Sequence, residues 1–157
     1  MIEIHLTVGA SRHQATQRLE REWGGPDIRM RDRVYRLGDC EILVAGDNKG
    51  LLAYDLCDHP TAELVALNAF EPRRGIGTAL LDDLVRRLQA DGFETIRVGT
   101  TNDNLDALRF YQRRGFCMAA LRPNAVADVR RVKPSIPQSG AYGLPIRDEI
   151  DLVLDLR

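Results

Sequence analysis

Apolar and polar residues change their period several times along the chain, and each change marks an element. Ile2, Ile4, Leu6 and Val8 alternate with polar neighbours, which predicts a half-buried strand over 2–8. Ser11 precedes HQATQRLEREW as a helix cap, and Gly24-Gly25-Pro26 stops that helix. Alternation returns over 28–37, a strand on which Arg29, Arg31, Arg33 and Arg36 read as one solvated face. EILVAG (41–46) and LLAYDLC (51–57) flank Asp47-Asn48-Lys49-Gly50, the chemistry of a hairpin turn. AELVALNAF (62–70), after the Asp58-His59-Pro60 turn, reads as a further antiparallel strand.

The rhythm then becomes helical. Pro72 to Gly77 is a loop, and ALLDDLVRRLQA after it sets Leu80, Leu81, Leu84, Val85 and Leu88 at helical spacing, ended by Asp91-Gly92. TIRVGT (95–100) reads as a buried strand, Asn102 to Arg114 as a second helix stopped at Gly115, and FCMAAL (116–121) as a strand. A short helix near 125–132, a Pro/Gly/Ser-rich stretch over 133–145 and the strand EIDLVLDL (149–156) complete the chain. The order implies an α/β (α+β) fold with a mixed, mostly antiparallel central sheet flanked by helices. No repeat is present, and residues 1–157 read as a single domain. The 133–145 stretch reads as a surface loop beside a site.

Composition narrows the partners. Apolar residues make up 44% and charged residues 29% of the chain, and 22 Lys+Arg nearly cancel 23 Asp+Glu, for a net charge of -1. That balance argues against non-specific nucleic-acid or membrane binding, which needs a positive field. Cys40, Cys57 and Cys117 are odd in number and widely spaced, so they suggest neither a disulfide framework nor a metal site. All three stand in apolar runs and read as small core residues. His5, His13 and His59 are equally scattered, so no metal is expected. The N-terminal residues lack a signal-peptide pattern, and no stretch reaches the ~20 apolar residues of a membrane span. A reducing cytoplasm is the expected compartment.

The chemistry concentrates at Arg73-Arg74-Gly75-Ile76-Gly77-Thr78, between a strand and a helix. Glycines there let the backbone approach a ligand closely. The first amides of the helix lack internal partners and, with the helix dipole, favour an anion such as a pyrophosphate. Arg73 and Arg74 add positive charge. The sequence has neither the G-x-x-x-x-G-K-[ST] of a P-loop nor a third glycine for G-x-G-x-x-G, since Leu80 stands at that position.

With these residues in place, LVALNAFEPRRGIGTALLDDLV resembles the acetyl-CoA motif of the GCN5-related N-acetyltransferases, the GNAT superfamily: an apolar strand, then Q/R-x-x-G-x-G/A, then a helix. TTNDNLDALRFYQRRGF is similar to that family's N-x-x-A-x-x-[LF]-Y-x-x-x-G-F, with Asn104, Ala107, Phe110, Tyr111, Gly115 and Phe116 in register. The resemblance covers about residues 62–117. It departs at Pro72, which occupies the family's Q/R position and supplies neither an amide donor nor a charge.

The resemblance implies a GNAT-like fold and an acetyl-CoA-dependent N-acetyltransferase, with acetyl-CoA as co-substrate. Leu67 and Ala69 would pair by backbone with the pantetheine arm. Arg73, Arg74, Gly75, Ile76, Gly77 and Thr78 would hold the pyrophosphate. Asn104 would contact the arm or simply cap its helix, and Ala107 lies one turn on. Tyr111 would protonate the departing thiolate, or else serve as helix packing. Glu63 stands where histone-type members place a general base; it alternates in phase with Val65 and Leu67 and is equally a charged residue at a strand's start. Asp148 and Glu149 are rivals for the base, and water can also serve. The expected acceptor is the primary amine of a small molecule. A protein or peptide amine, or a non-catalytic acyl-CoA sensor, are the alternatives, and a homodimer is open.

Overall fold

The computed structural model describes residues 1–157. The elements run β1 (Ile4–Leu6), α1 (Gly9–Trp23), β2 (Asp27–Met30), β3 (Arg33–Arg36), β4 (Glu41–Ala45), β5 (Gly50–Asp58) and β6 (Thr61–Ala69). They continue with α2 (Ile76–Ala90), β7 (Thr95–Thr101), α3 (Leu105–Arg113), β8 (Cys117–Arg122), α4 (Val126–Val132) and β9 (Glu149–Asp155). Seven strands form one sheet in the order β1-β4-β5-β6-β7-β9-β8, antiparallel except between β6 and β7, and β2-β3 is a separate hairpin. The mixed, mostly antiparallel sheet is therefore as the sequence implies.

Alternation explains the two layers. On β4 and β5, Leu43, Ala45, Leu52 and Tyr54 face one way and join α2 residues such as Leu80, Leu84 and Leu88 in the larger core. Ile42, Val44, Leu51 and Ala53 face the other way, against Ala15 and Leu19 of α1. On β6 the phase reverses. The β5–β6 register shifts between Ala53↔Ala66 and Tyr54↔Leu64, leaving Val65 as the extra residue of a bulge. Ala62 and Leu64 join the α2 layer, whereas Ala66 joins the α1 layer. Glu63 therefore does not share a face with Leu67, contrary to simple alternation: one inserted residue turns the strand over.

Three other expectations are corrected. The helix begins at Gly9 with Val8 as its N-cap, and Ser11 lies one turn inside, its hydroxyl accepting from the Val8 amide at 3.3 Å. Of the cysteines only Cys40 is buried, with its thiol pushed up to about 12 by burial; Cys57 and Cys117 are exposed on strand ends. Residues 28–37 form a hairpin rather than one strand, because Arg31 and Asp32 turn the chain with positive φ.

That turn overturns the solvated-face reading of the arginines. Arg31 lies inward, bonded to Glu63 at 2.6 Å and Asp151 at 2.7 Å, with its side chain 13% exposed. Arg97 takes the other Glu63 oxygen at 2.7 Å, and Arg122 binds Asp151 at 2.7 Å and Glu149 at 3.0 Å. The hairpin is thus tied to β6, β7, β8 and β9 by one ionic network. Burial opposes the charge on Arg31, but Glu63 and Asp151 outweigh it and raise its pKa. Burial likewise opposes the Asp151 charge, but Arg122 and Arg31 hold that carboxyl below its ordinary range.

Removing Arg31 leaves two nearly buried carboxylates short of a partner. Arg31→Met should cost about 3 kcal/mol in chemical denaturation, as breaking a buried pair does. Asp151 also makes stability depend on pH: its contribution is complete above the unfolded value of about 4 and is lost as the pH falls through the lower folded value. The variant should show a shallower acid loss than the parent, and equal stability and equal acid profiles would contradict the network's role.

Candidate functional site

The sheet opens at its centre. β6 and β7 pair only from Thr61↔Thr95 to Leu64↔Val98. Beyond that point β6 continues with β5 as far as Ala69, and β7 continues with β9 as far as Thr101. The Phe70 amide donates to the Lys49 carbonyl at 2.8 Å. Antiparallel ladders alternate, so Asn68 and Ala66 also turn their backbone groups toward β5, and those of Leu67 and Ala69 face the gap. An unpaired strand edge of this kind accepts an extended chain as an added strand.

At the end of β6 the loop turns into α2. Gly75 is left-handed at φ 72° and forms the N-cap, where a side chain would be strained. No amide from Arg74 to Thr78 donates to a backbone carbonyl, so a row of donors lies free at the helix start. A Cβ at Gly77 would sit 3.3 Å from the Phe110 ring, so glycine there lets α3 close down on the loop. Between β6, the loop and α3 lies a cleft of about 580 Å³, lined by Leu67, Ala69, Arg73, Gly77, Ala107 and Tyr111 among others. A contiguous space of about 290 Å³ covers Arg74, Gly75, Ile76 and Thr78. Pro72 lies in the first wall.

Three arginines outside the glycine loop also stand in these walls: Arg109, Arg113 and Arg114. Their spacing from Asp106 and Phe110 along α3 is helical, and that was the signal available in the sequence. Arg114 donates to the Thr78 hydroxyl at 3.0 Å through Nε and lies over the Phe110 ring at 3.7 Å. Burial, then the neighbouring Arg113 charge, lowers its pKa. Crowded cations of this kind gain from an anion between them.

Tyr111 stands at the inner end of the cleft. It is 6% exposed and packs edge-on against Phe110 and at a tilt against Phe116, at centroid separations of 5.3 and 5.2 Å. Burial raises its phenol pKa, so the proton stays on oxygen at neutral pH. Tyr111 also lines a slot of about 70 Å³ between the parted strands, shared with Leu67, Asn104, Ala107 and Trp23. Trp23 is held there by an indole N–H bond to Asn68 at 2.6 Å. Trp23 in turn borders a cavity of about 230 Å³ between β2, α4 and the 133–146 segment. Cleft, slot and cavity thus share walls through Tyr111 and Trp23.

The 133–145 stretch is fixed rather than loose. Arg130 donates to the carbonyls of Ile136, Pro137 and Ile146, and the Ala141 amide donates to Asp103 at 3.0 Å. Gly140 presses on Asp103 and Ile146, with no room for a Cβ. Lys133 and Ile136 reach the 230 Å³ cavity.

The ten residues expected around a cofactor, together with Tyr111, line the cleft, the space over the loop or the slot. Glu63 lies apart from them on the hairpin side, and both of its oxygens are taken by guanidinium groups. Asp148 is bonded to Arg147 and the Asn124 amide, which hold its carboxyl below the ordinary range. Glu149 borders the cavity but accepts from Arg122 and the Arg31 amide. No group of three or more His, Cys, Asp and Glu side chains is placed to hold a metal ion. No helix is long and apolar enough to cross a membrane.

The model of the acetyltransferase (GNAT) family matches residues 10–116. YdhI of Bacillus subtilis (strain 168) is 35% identical over 144 residues, 89% of this chain and 89% of that one. A GNAT family acetyltransferase from Elizabethkingia anophelis with acetyl-CoA bound superposes with a TM-score of 0.74 at 20% identity, covering 98% of this chain and 97% of the other. A Bacillus subtilis acetyltransferase in complex with CoA gives a TM-score of 0.72 at 21% identity over 100% of both chains. At such identities the two structures establish the shared fold.

Asn104 has a measurable structural part whatever else it contacts. Its side chain accepts from the Ala107 amide at 3.2 Å, the geometry of an N-cap. Asn104→Ala should lose about 1 kcal/mol in thermal or chemical unfolding, whereas Asn104→Asp should keep most of it. Equal stability of both variants would deny the cap.

Proposed function

The chain belongs to the acetyltransferase (GNAT) family, and on that premise we propose that it moves the acetyl group of acetyl-CoA directly to the primary amine of a small molecule. The observation that carries this reading is the position of Tyr111, a buried phenol at the joint between the cleft beside the free loop amides and the slot toward the second cavity. Acetyl-CoA is assigned on the open edge of β6 and the donors at the start of α2, and it is the ligand of the Elizabethkingia anophelis structure. We take residues 1–157 as one domain working in a reducing cytoplasm.

In this reading the amides of Arg74 to Thr78 hold the pyrophosphate, with Arg73, Arg74, Arg109, Arg113 and Arg114 supplying charge around it. The backbone of Leu67 and Ala69 pairs with the pantetheine arm, and Asn104 and Ala107 border its end. Acetyl-CoA supplies an activated thioester. Trp23 and the parted strands guide the neutral amine to the carbonyl carbon, where nitrogen forms the new bond. Tyr111 gives its proton to the sulfur as the carbon–sulfur bond breaks, and the extra proton on nitrogen passes to water. Glu63 was the family-based candidate for that base. With both oxygens bound to arginine, we assign it instead to holding the hairpin. The 230 Å³ size of the cavity favours a small acceptor. The buried proton donor favours an enzyme over a sensor.

Two variants test the two halves of the reading. Gly77→Glu would press on the Phe110 ring and bring negative charge to the anion cradle, so calorimetry should find CoA binding abolished, and unchanged affinity would remove the cradle from the account. Tyr111→Phe keeps the ring and removes the proton. It should bind acetyl-CoA nearly as before and lose ~10²-fold in rate, with a smaller loss for a thioester whose thiol is more acidic. Full activity across the pH range would take Tyr111 out of the mechanism.

A further inference from the structure

The cavity beyond Trp23 has a composition that selects among amines. Ile28, Met30, Val126, Val129 and Ile136 give it apolar walls, and at about 230 Å³ it falls below the usual drug-sized pocket of roughly 300–1,000 Å³. Its charged residues are not equivalent. Glu149 accepts from Arg122 and the Arg31 amide, both through Oε1, and the Lys133 ammonium donates to the Trp23 carbonyl at 2.9 Å. Arg29 is only partly exposed, yet its guanidinium has no hydrogen bond or ion pair within the chain. Arg29 also borders the adjoining cleft of about 640 Å³, where Arg31, Arg33, Arg122 and Arg131 are each paired with a carboxylate and Arg29 is not. Asp27 lies in the same cavity, two residues away on the hairpin.

A polyamine or aminoglycoside would bring further cations against the unpaired Arg29 guanidinium. An apolar monoamine would leave Arg29 desolvated without a partner, which is costly. Resting on the acetyl-transfer reading, we propose that the acceptor is a free amino acid with an apolar side chain. Arg29 binds its carboxylate, the apolar walls take its side chain, and its amine points through the slot toward Tyr111. Arg29 is thereby a specificity-determining residue rather than a participant in the chemistry.

The test is thiol release from acetyl-CoA with matched acceptors: leucine, methionine and phenylalanine, their α-amides, and their decarboxylated amines. The free acids should exceed both counterparts by about tenfold or more in kcat/KM, the range of a hydrogen-bonded charge pair. Arg29→Met should bring that ratio near one, chiefly through KM for the free acid, and Arg29→Lys should retain part of it. A merely structural role for Arg29 would lower all three series alike and overturns the proposal. Amides exceeding the free acids would point to a peptide N-terminus and overturn it as well. Transfer to polyamines or aminoglycosides but not to amino acids overturns this inference and leaves the acetyl-transfer reading standing. Bound CoA with no thiol release from any amine overturns that reading, and this inference with it.

Discussion

Two parallel strands that stop bonding to each other after four residue pairs govern this structure. Each keeps its outer partner, so the sheet does not fray; it forks. The fork leaves the backbone donors and acceptors of Leu67 and Ala69 without a neighbouring strand along the inner edge of the sheet. It also makes room for Tyr111 below and Trp23 beyond. The Val65 bulge is placed where the parting begins, and it rotates the strand so that Leu67 faces α3 while Glu63 faces the hairpin. On the other arm, Gly99 lets Met30 of the hairpin come against β7, where a Cβ would collide with it. A bulge and a glycine, one on each arm, thus shape the opening.

Charge is handled in opposite ways on the two sides of the fork. On the hairpin side, arginine and carboxylate are matched nearly atom for atom, and the result is mechanical: β2 and β3 are fixed over the sheet. Buried pairs of this kind add little net stability relative to apolar packing, yet they specify geometry. On the α3 side, Arg109, Arg113 and Arg114 crowd around the start of α2 with few carboxylates to answer them. An arrangement that is unfavourable when empty favours whatever anion fills it. The helix dipole and the free amides act in the same direction.

Much of this was legible in the sequence. The alternation of β4 and β5, the leucines of α2 and the paired glycine and N-x-x-A-x-x-F-Y stretches give the sheet, the helices and the cofactor side. The rest depended on features with no local signature. One extra residue in β6 is invisible to a period-2 reading, because Glu63, Val65 and Leu67 alternate whether or not a bulge intervenes. The turn at Arg31-Asp32 has no glycine or proline, so the two short strands read as one. Arg31 itself looked solvated because its partners, Glu63 and Asp151, lie 32 and 120 residues away. Exposed Cys57 and Cys117 looked like core because apolar runs at strand ends continue past the layer that covers them.

A structure of the protein with CoA bears most directly on the central claim, that Tyr111 marks the meeting of a cofactor cleft and an acceptor slot. The account predicts the pyrophosphate on the amides of residues 74–78, the pantetheine arm bonded to the backbone of Leu67 and Ala69, and the thiol within hydrogen-bond reach of the Tyr111 hydroxyl. An arm lying outside the fork, or a thiol turned away from Tyr111 with the phenol still in its apolar packing, would contradict it.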